Sequence, residues 1–442
     1  MSLHTRIRRR SARIAIIGLG YVGLPLARVF VDAGFRVIGV DTDPAKIGAL
    51  ARGECYLKHL GRNFVREMNA TRRFEATGDA RALRAADAVL ICVPTPLGPH
   101  MEPDLSYVER TAEDIGANLK RGALVVLEST SYPGTTRDVV LPRLERSGGR
   151  GKPRVCGSPR GFYLASSPER EDPGRRDFTT RTIPKLVGGV DRASGEIAAA
   201  LYAAAFETVV PVESAEVAEA AKILENTYRA VNIALVNEMK VLLTAMGIDV
   251  WSVVAAAGTK PFGFAPFYPG PGLGGHCIPI DPYYLTWKAR EVGLPTRFVE
   301  LAGEINHAMP DYVVMRVVEA LNARGRAVRG ARVLVLGLAY KPDIDDVRES
   351  PSFEIIQRLR EMGARVDYND PLVPRTHRMR RHDLKMTSVA LTAAALKGYD
   401  AVVVSTAHSV YDWGMIARHA RLVIDTRNAL RGVKNRKNIV MA

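Results

Sequence analysis

The fold is decided by residues 13–27, RIAIIGLGYVGLPLA. The apolar run RIAII is followed by glycines at 18, 20 and 23 and then by a helix-like stretch. Between a strand and a helix, this spacing gives a tight turn, close backbone approach for a pyrophosphate, and close packing of helix on strand. The helix N-terminus then offers free N–H groups to phosphate. We therefore predict a dinucleotide-binding loop made of Gly18, Gly20, Tyr21, Val22 and Gly23.

Further residues of the same site follow the next apolar runs. Asp41 ends the run RVIGVD, about 20 residues on, where an acid bonds the ribose hydroxyls of a dinucleotide. A carboxylate there repels a 2′-phosphate, so the sequence favours NAD over NADP. Pro94, Thr95 and Thr130 follow two more apolar runs, and ligands bind at the carboxyl ends of parallel strands. Simple turn chemistry explains these last residues equally well.

The order of patterns gives the fold class. Strand-like and helical stretches alternate up to residue 208 and again after residue 329, which predicts parallel sheets with helices on both faces. Residues 214–246 contain no Gly or Pro and have helical apolar spacing. We therefore predict an α/β protein with two doubly wound Rossmann-like domains, joined by a helical middle domain with a long helix. The predicted domains are residues 1–208, 209–309 and 310–442.

The long helix has a consequence for assembly. At about 1.5 Å per residue it spans close to 50 Å, and an apolar stripe of that length needs a partner surface. A second copy of the chain can supply it. We predict a homodimer or a higher homo-oligomer.

Composition excludes other classes. The chain has 442 residues, 47% hydrophobic and 25% charged, which is typical of a globular protein. No apolar stretch approaches the roughly 20 residues of a bilayer span, so no membrane insertion is expected. The formal charge of +15 attracts anions, and the most basic cluster is residues 6–13, RIRRRSAR. We interpret it as a solvated arm and expect no nucleic-acid partner.

Cysteine usage points to a reducing compartment. Cys55, Cys92, Cys156 and Cys277 form no CxxC pair and have no His at zinc spacing, so neither a disulfide framework nor a metal site is predicted. We expect a cytoplasmic location. The basic N-terminus followed by an apolar run imitates an export signal, but the glycine spacing favours a first core strand.

A second chemical motif lies in residues 267–285, FYPGPGLGGHCIPIDPYYL. Its glycines let a ligand approach the backbone, and Cys277 and Asp281 lie at its end. A lone cysteine is usually buried packing. Beside a nicotinamide, however, a thiol can capture an aldehyde covalently and allow the adduct to be oxidised. Lys222 and Asn226, four residues apart on the long helix, share one face, although the helical pattern does not show that they point at a site.

Taken together, these segments resemble the UDP-glucose/GDP-mannose dehydrogenase family over nearly the whole chain. The resemblance implies an NAD-dependent double oxidation of the 6-hydroxymethyl group of a UDP-sugar to a carboxylate, with two NAD reduced and no free aldehyde. It also implies an NAD-binding domain, a helical dimerisation domain and a UDP-sugar domain. The matching segments are IAIIGLGYVGLPLA, CVPTPL, LESTSYPGTT, SPERED, AKILENTYRAVNIALVNEM, GLGGHCIPIDP and AYKPDIDDVRESP.

The resemblance assigns catalytic roles by motif. Cys277 is similar to the nucleophile that forms a thiohemiacetal and then a thioester. Lys222 and Asn226 resemble the pair that binds the substrate and stabilises its oxyanion. Asp281 and Thr130 resemble the residues that hold the catalytic water.

The resemblance also assigns binding roles. Glu169 is similar to the substrate-binding acid associated with hydrolysis, and Lys341 to a nucleotide-sugar contact. Arg348 resembles a residue near the cofactor. Tyr268 and Gly274, in the cysteine loop, are expected to contact the substrate.

Departures from the family's UDP-glucose branch narrow the substrate. His276 precedes the cysteine, Ile280 replaces the lysine of the PKD pattern, and the acid motif reads SPERED. These features resemble the branch that acts on UDP-N-acetylhexosamines, with UDP-N-acetylglucosamine the best fit. UDP-N-acetylmannosamine, UDP-N-acetylgalactosamine and UDP-glucose stay open.

Two competing interpretations stay open as well. A single-step dehydrogenase of the hydroxyacid or 6-phosphogluconate type would explain Lys222 and Asn226, but it leaves the Cys277 loop and the third domain without a role. A non-catalytic nucleotide-sugar-binding protein would not need Cys277, Lys222 and Asp281 together.

Overall fold

A computed structural model describes residues 1–98, 101–147, 156–171, 178–275, 277–379 and 382–442. The chain divides into two compact units. The first unit comprises Met1–Glu225 and Tyr283–Pro295, and the second comprises Asn226–Pro282 and Thr296–Ala442. The predicted domain boundaries at 208 and 309 follow a three-way division and stay a prediction.

The first unit contains one eight-stranded sheet with the order β3-β2-β1-β4-β5-β6-β7-β8. Its strands are β1 (Arg13–Ile17), β2 (Arg36–Val40), β3 (Phe74–Thr77), β4 (Ala88–Ile91), β5 (Leu124–Leu127), β6 (Tyr163–Ser166), β7 (Lys185–Gly189) and β8 (Val209–Pro211). Its helices are α1 (Leu3–Arg8), α2 (Gly23–Asp32), α3 (Pro44–Ala51), α4 (Phe64–Ala70), α5 (Ser106–Asn118), α6 (Leu141–Ser147), α7 (Arg192–Ala203), the first part of α8 (Ala215–Ala245) and α10 (Asp281–Glu291) from Tyr283 onward. Short 3₁₀ turns lie at Lys58–Leu60 and Ala80–Ala85, and a π-helical turn lies at Thr135–Val140.

The second unit contains a five-stranded, fully parallel sheet with the order β10-β9-β11-β12-β13. Its strands are β9 (Arg332–Leu336), β10 (Arg365–Asn369), β11 (Ala401–Val404), β12 (Val423–Asp425) and β13 (Ile439–Met441). Its helices are the rest of α8, α9 (Val250–Ala257), the start of α10 (Asp281–Glu291), α11 (Arg297–Asn322), α12 (Pro351–Glu361), α13 (Ala393–Lys397) and α14 (Trp413–His419).

Continuously apolar strands explain why both sheets are covered on both faces. In β9, Val333 and Val335 pack into one cluster while Leu334 and Leu336 pack into another, because successive side chains point to opposite faces. This pattern confirms the predicted fold class of two doubly wound sheets with a helical segment between them in the sequence.

One strand departs from the predicted parallel sheet. β7 runs antiparallel to β6, with Ala165 opposite Gly189 and Ser166 opposite Gly188. None of the described residues between β6 and β7 is helical. Parallel neighbours need a crossover connection, usually a helix, whereas a chain that returns without one pairs antiparallel.

The predicted solvated N-terminal arm is wrong. Residues 3–8 form α1, whose Leu3 and Ile7 are buried in the core of the first unit. The Arg6 guanidinium lies 3.2 Å from the carboxylate of the buried Asp87. The interpretation considered only the charges of this segment. Leu3 and Ile7 are apolar and lie at helical spacing, so they anchor the helix to the core.

The long helix is confirmed as α8, which has 31 residues and is therefore about 46 Å long. One side of it carries large apolar side chains that are more than half exposed. These are Leu224, Tyr228, Leu235 and Leu242, and Met246, directly after the helix, continues the series at spacings of four and seven residues. Among the described residues, no helix combines the length and apolarity that a bilayer span requires.

Candidate active site

The glycine loop of the first unit has the geometry that its spacing predicts. Gly18 has a φ of +92°, and a Cβ there would lie 2.5 Å from the carbonyl oxygen of Cys92. A Cβ at Gly23 would overlap the carbonyl oxygen of Gly18, so only glycine allows α2 to begin this close to β1. A Cβ at Gly20 would meet no atom within 4 Å, so the backbone there faces open space. The loop therefore fits a pyrophosphate at the N-terminus of α2.

Asp41 directly follows β2 and supports this loop. Its Oδ2 accepts a hydrogen bond from the backbone N–H of Leu19 at 2.8 Å and lies 3.1 Å from the Lys46 ammonium. Its Oδ1 accepts from the backbone N–H of Asp43 at 3.0 Å. The carboxylate is buried, so it is held in place beside the turn where a ribose is predicted to bind.

The two further predicted loops meet at the carboxyl edge of the same sheet. The Thr95 hydroxyl donates to the carbonyl oxygen of Thr130 at 2.8 Å. The Tyr284 hydroxyl in turn donates to the carbonyl oxygen of the buried Thr95. Pro94 is exposed and Thr130 is half-buried. Tyr21, in the glycine loop, stacks on His59 with ring centroids 5.4 Å apart.

In the second unit, Cys277 lies four residues before the start of α10 and is exposed. Its carbonyl oxygen accepts from the backbone N–H groups of Ile280 and Asp281, at 3.1 and 2.8 Å. The Asn226 amide donates to Asp281 Oδ2 at 2.6 Å, and both side chains are almost fully buried. The structure therefore joins Asn226 of α8 to the residue that opens α10, four positions after the cysteine.

The glycines before Cys277 pack against the AYKPD segment. A Cβ at Gly274 would lie 2.5 Å from the Tyr340 Cβ, and the backbone N–H of Gly275 donates to the carbonyl oxygen of Arg348 at 2.8 Å. Lys341, next to Tyr340, is half-buried. These contacts bring the predicted substrate residues Gly274 and Lys341 to one part of the second unit.

Arg348 and Tyr268 have local partners in the second unit. The Arg348 guanidinium binds the buried Asp346 carboxylate through two nitrogens, with distances of 3.0 and 2.6 Å. Tyr268 is half exposed and stacks on Trp251, with centroids 5.5 Å apart. Their predicted roles, toward cofactor and substrate respectively, stay predictions. His276 and the last residue of SPERED, Asp172, lie outside the described residues.

Glu169 and Lys222 belong to the first unit and interact electrostatically. Burial opposes ionisation of Glu169, but the nearby Lys185 ammonium and its hydrogen bond outweigh burial, and Lys222 adds to their effect. The pKa of Glu169 is lowered as a result. Lys222 is itself buried, one helical turn before Asn226 on α8.

Two buried acids at this site were missed by sequence reasoning. Glu128 follows β5 and binds Lys185, while Glu219 of α8 accepts from the backbone N–H of Gly134 at 2.7 Å and from the Thr136 hydroxyl at 2.6 Å. Burial raises the pKa of each to about 7. For Glu128 the available signal was a charged residue directly after an apolar run, LVVLE.

The remaining cysteines behave as packing residues. Burial raises the pKa of Cys55 and of Cys92, and it raises that of Cys156 to about 12, so none of the three is activated. No cluster of three or more potential metal ligands occurs in the part of the chain that the structure describes.

Comparison with known families decides what this site belongs to. Residues 12–206 match the UDP-glucose/GDP-mannose dehydrogenase family's NAD binding domain, residues 216–308 its central domain, and residues 334–432 its UDP binding domain. The chain belongs to the UDP-glucose/GDP-mannose dehydrogenase family. It is therefore an NAD-dependent UDP-sugar dehydrogenase.

Individual family members are similar over nearly their whole length. Protein CapL of Staphylococcus aureus is 38% identical over 395 residues, which cover 87% of this chain and 90% of that protein. The UDP-N-acetyl-D-glucosamine 6-dehydrogenase of Pseudomonas aeruginosa is 35% identical over 405 residues, covering 91% and 92%. The solved structure of the UDP-D-ManNAc dehydrogenase from Pyrococcus horikoshii superposes with a TM-score of 0.85 at 31% identity, covering 97% of this chain and 98% of that one.

Proposed function

We propose that this dehydrogenase oxidises the 6-hydroxymethyl group of a UDP-N-acetylhexosamine to a carboxylate, through a thiohemiacetal and a thioester on Cys277. The observation that carries the proposal is the buried Asn226–Asp281 hydrogen bond beside an exposed cysteine. An exposed thiol with fixed polar groups next to it is an arrangement for covalent catalysis. The other three cysteines are partly or fully buried.

Each residue has a role in this reaction. NAD, when bound, accepts a hydride in each of the two oxidations. The Cys277 sulfur attacks the aldehyde carbon, and the Asn226 amide and the Lys222 ammonium stabilise the oxyanion that develops. Asp281, by accepting the Asn226 N–H at 2.6 Å, holds that amide in one orientation. Glu169 and Thr130 serve the hydrolysis that releases the acid.

UDP-N-acetylglucosamine is the proposed substrate. The relative from Pseudomonas aeruginosa is named for that sugar, and the structural neighbour from Pyrococcus horikoshii for the manno epimer. Both sugars carry a 2-acetamido group, and an acetamide buried without a partner costs about 1–3 kcal/mol. A pocket with a partner for it therefore prefers either epimer to UDP-glucose. The sequence departures at Ile280 and SPERED resemble the branch that acts on UDP-N-acetylhexosamines, with UDP-N-acetylglucosamine the best fit.

Steady-state kinetics with the three UDP-N-acetylhexosamines and UDP-glucose test the substrate. We expect UDP-N-acetylglucosamine to have the highest kcat/KM. A preference for an acetamido epimer would correct only the stereochemistry, whereas a preference for UDP-glucose would contradict the assigned branch.

The covalent role is tested with Cys277→Ser. The variant should release no acid above background while NAD and UDP-sugar binding survive, because a hydroxyl is a far weaker nucleophile at neutral pH. Cys55→Ser is the matched control, since the half-buried Cys55 thiol donates to the carbonyl oxygen of Leu57 and packs against the core of the first unit. Acid production by Cys277→Ser at the rate of the control would refute the role.

A further inference from the structure

Three charged side chains lie together at the carboxyl edge of the first unit's sheet. The family motifs give them no shared role. The Lys185 ammonium lies 2.6 Å from Glu128 Oε2 and 3.0 Å from Glu169 Oε2. Glu128 and Lys185 are almost completely buried, and Glu169 is 9% exposed. The Tyr202 hydroxyl, also buried, donates to the other oxygen of Glu128. Charges this well buried are costly unless each has a partner.

The antiparallel course of β7 brings Lys185 to this edge. Glu128 follows β5 and Glu169 follows β6, at the strand ends where ligands bind in such sheets. Lys185 is the first residue of β7, and the Ser167 hydroxyl donates to the carbonyl oxygen of its neighbour Leu186 at 2.7 Å. A β7 parallel to β6 would place Lys185 at the opposite edge of the sheet.

Glu169 is held at both of its oxygens. Oε1 accepts from the backbone N–H groups of Arg170 and Glu171, at 2.7 and 2.8 Å, and Oε2 accepts from Lys185. A carboxylate offers about four acceptor sites. The contacts that the described residues make therefore leave one site of Glu169, on Oε2, for a water molecule.

We propose that Lys185 is a positioning residue for thioester hydrolysis, which keeps Glu169 ionised and oriented so that it can take the proton of the attacking water. In that step a bond forms between the water oxygen and the thioester carbon, and the C–S bond breaks. The Cys277 sulfur leaves with the electron pair. The proton passes from water to Glu169 and then to solvent. This inference rests on the proposed function, in which Glu169 serves hydrolysis.

Charge balance within the cluster supports the assignment. Without the ammonium, burial would favour the protonated form of Glu169, which cannot accept a proton. With the ammonium, the pKa of Glu169 lies below its usual range, whereas burial raises that of Glu128 to about 7. A proton taken up by the cluster near neutral pH therefore goes to Glu128, and Glu169 stays a base.

The test is the pH profile of Lys185→Met, with Lys185→Arg and Glu128→Gln beside it. In Lys185→Met the pKa of Glu169 rises, so the acid limb of kcat moves to higher pH by at least about one unit. Below the shifted limb kcat falls about 10-fold for each further unit of pH, since each unit of pH below the pKa costs a factor of ten in the ionised fraction of Glu169. Lys185→Arg keeps the positive charge, so its acid limb of kcat should lie at the same pH as that of the wild type. Glu128→Gln moves the limb to lower pH, because the whole Lys185 charge then acts on Glu169.

A transient measurement separates hydrolysis from oxidation. Both hydride transfers precede hydrolysis, so Lys185→Met should show a burst of two NADH per active site, followed by slow turnover. Intact-mass spectrometry of the quenched enzyme should find the thioester. The exposed Lys397→Met is the matched control and should show the wild-type profile.

Several results would overturn the inference. One is a loss of kcat in Lys185→Met by the same factor at every pH, with no burst, because a packing role predicts that pattern. If Lys185→Met does not fold, the pH profile of Glu128→Gln is the deciding measurement. An acid limb of kcat at the wild-type pH in that variant would contradict the electrostatic coupling of Glu169 to Lys185. Failure of the proposed function looks different, since the wild-type enzyme itself would then form no NADH with any UDP-sugar.

Discussion

The sheets of the two units begin with the same turn and use it differently. In the first unit, Gly18 follows β1 with a φ of +92°, and Asp41, after β2, accepts the Leu19 N–H at 2.8 Å. In the second unit Gly337 follows β9 with a φ of +82°. Asp370, after β10, accepts a hydrogen bond from the Leu338 N–H at 2.7 Å. A carboxylate after the second strand therefore supports the turn after the first strand in both units.

The two turns differ at their third residue, which is Gly20 in the first unit and Ala339 in the second. Gly20 of the first unit would place a Cβ in open space, whereas Ala339 of the second unit is completely buried in the core. In the first unit α2 starts at Gly23, so the turn leads directly into a helix N-terminus. In the second unit α12 starts only at Pro351, and the intervening segment carries Lys341. One turn exposes backbone for a phosphate, and the other supports a loop that presents side chains.

A reciprocal pair of substitutions at this third residue should have the largest effect on cofactor binding. Gly20→Ala should raise the KM for NAD about tenfold or more, equivalent to about 1.4 kcal/mol, and leave the melting temperature unchanged, because the added methyl group occupies ligand space. Ala339→Gly should lower the free energy of unfolding by about 1–2 kcal/mol without changing the KM for NAD. Kinetics and thermal unfolding of both variants measure this. A lowered melting temperature in Gly20→Ala would remove the distinction between the two turns.

The next effect concerns the supporting acids. The Asp370 carboxylate lies 3.0 Å from Nε2 of the completely buried His408, whose Nδ1 accepts from the Asp343 N–H. The partner of Asp41 is the half-exposed Lys46. Asp370→Asn should therefore cost more stability, about 3 kcal/mol against about 1 kcal/mol for Asp41→Asn, because the buried N–H groups of Leu338, Ala339 and His408 would lose the carboxylate oxygen that they share as acceptor.

Only the substitution in the first unit should change cofactor choice. Asp41→Asn removes the negative charge at the ribose position and leaves Lys46 there, so kcat/KM for NADP relative to NAD should rise. Equal cofactor ratios in Asp41→Asn and wild type would show that Asp41 supports the turn only, as Asp370 does.

A third prediction concerns α8, which connects the two sheets in the sequence. We propose that its apolar stripe, Leu224, Tyr228, Leu235, Leu242 and Met246, is the contact with a second copy. Leu235→Glu should convert a dimer or higher oligomer into monomer at micromolar concentration, as measured by light scattering, because a charge in an apolar contact is costly. Val410→Glu is the control, since Val410 is 70% exposed outside the stripe. A wild-type protein that is already monomeric would contradict the proposed assembly.

The last comparison concerns two buried groups of opposite charge on α8. Burial raises the pKa of Glu219 in the first unit to about 7 and lowers that of Lys240 in the second unit to about 7. The folded state thus keeps a proton on Glu219 that the unfolded chain releases above its usual pKa of 4.5, so wild type loses stability as pH rises from 4.5 to 7. For Lys240 the folded state gives up a proton that the unfolded chain keeps up to 10.5, so stability is lost as pH falls from 10.5 to 7.

Thermal unfolding against pH measures both. The melting temperature of Glu219→Gln relative to wild type should fall as the pH is lowered from 7 to 5. That of Lys240→Met relative to wild type should fall as the pH is raised from 7 to 9. Parallel pH curves for a variant and wild type would show that the group concerned does not titrate in this range.

Much of this arrangement could be predicted from the sequence, because continuous apolar runs and glycine spacing report directly on buried parallel strands and tight turns. The run RIAII is β1, and residues 214–246 are α8 to within a residue at each end. The orientation of β7 could not be predicted, because an apolar strand reads the same in both directions. Lys185 was missed for that reason, since only the antiparallel course brings it to Glu169.

The central claim is a four-electron oxidation at a single site, and its most direct test is stoichiometry. Purified protein is mixed with NAD and limiting UDP-N-acetylglucosamine, NADH is read from its absorbance, and the nucleotide-sugar acid is quantified by mass spectrometry with an aldehyde trap present. The account predicts two NADH per molecule of acid and no trapped aldehyde. One NADH per product, or an aldehyde that accumulates in the trap, would contradict it.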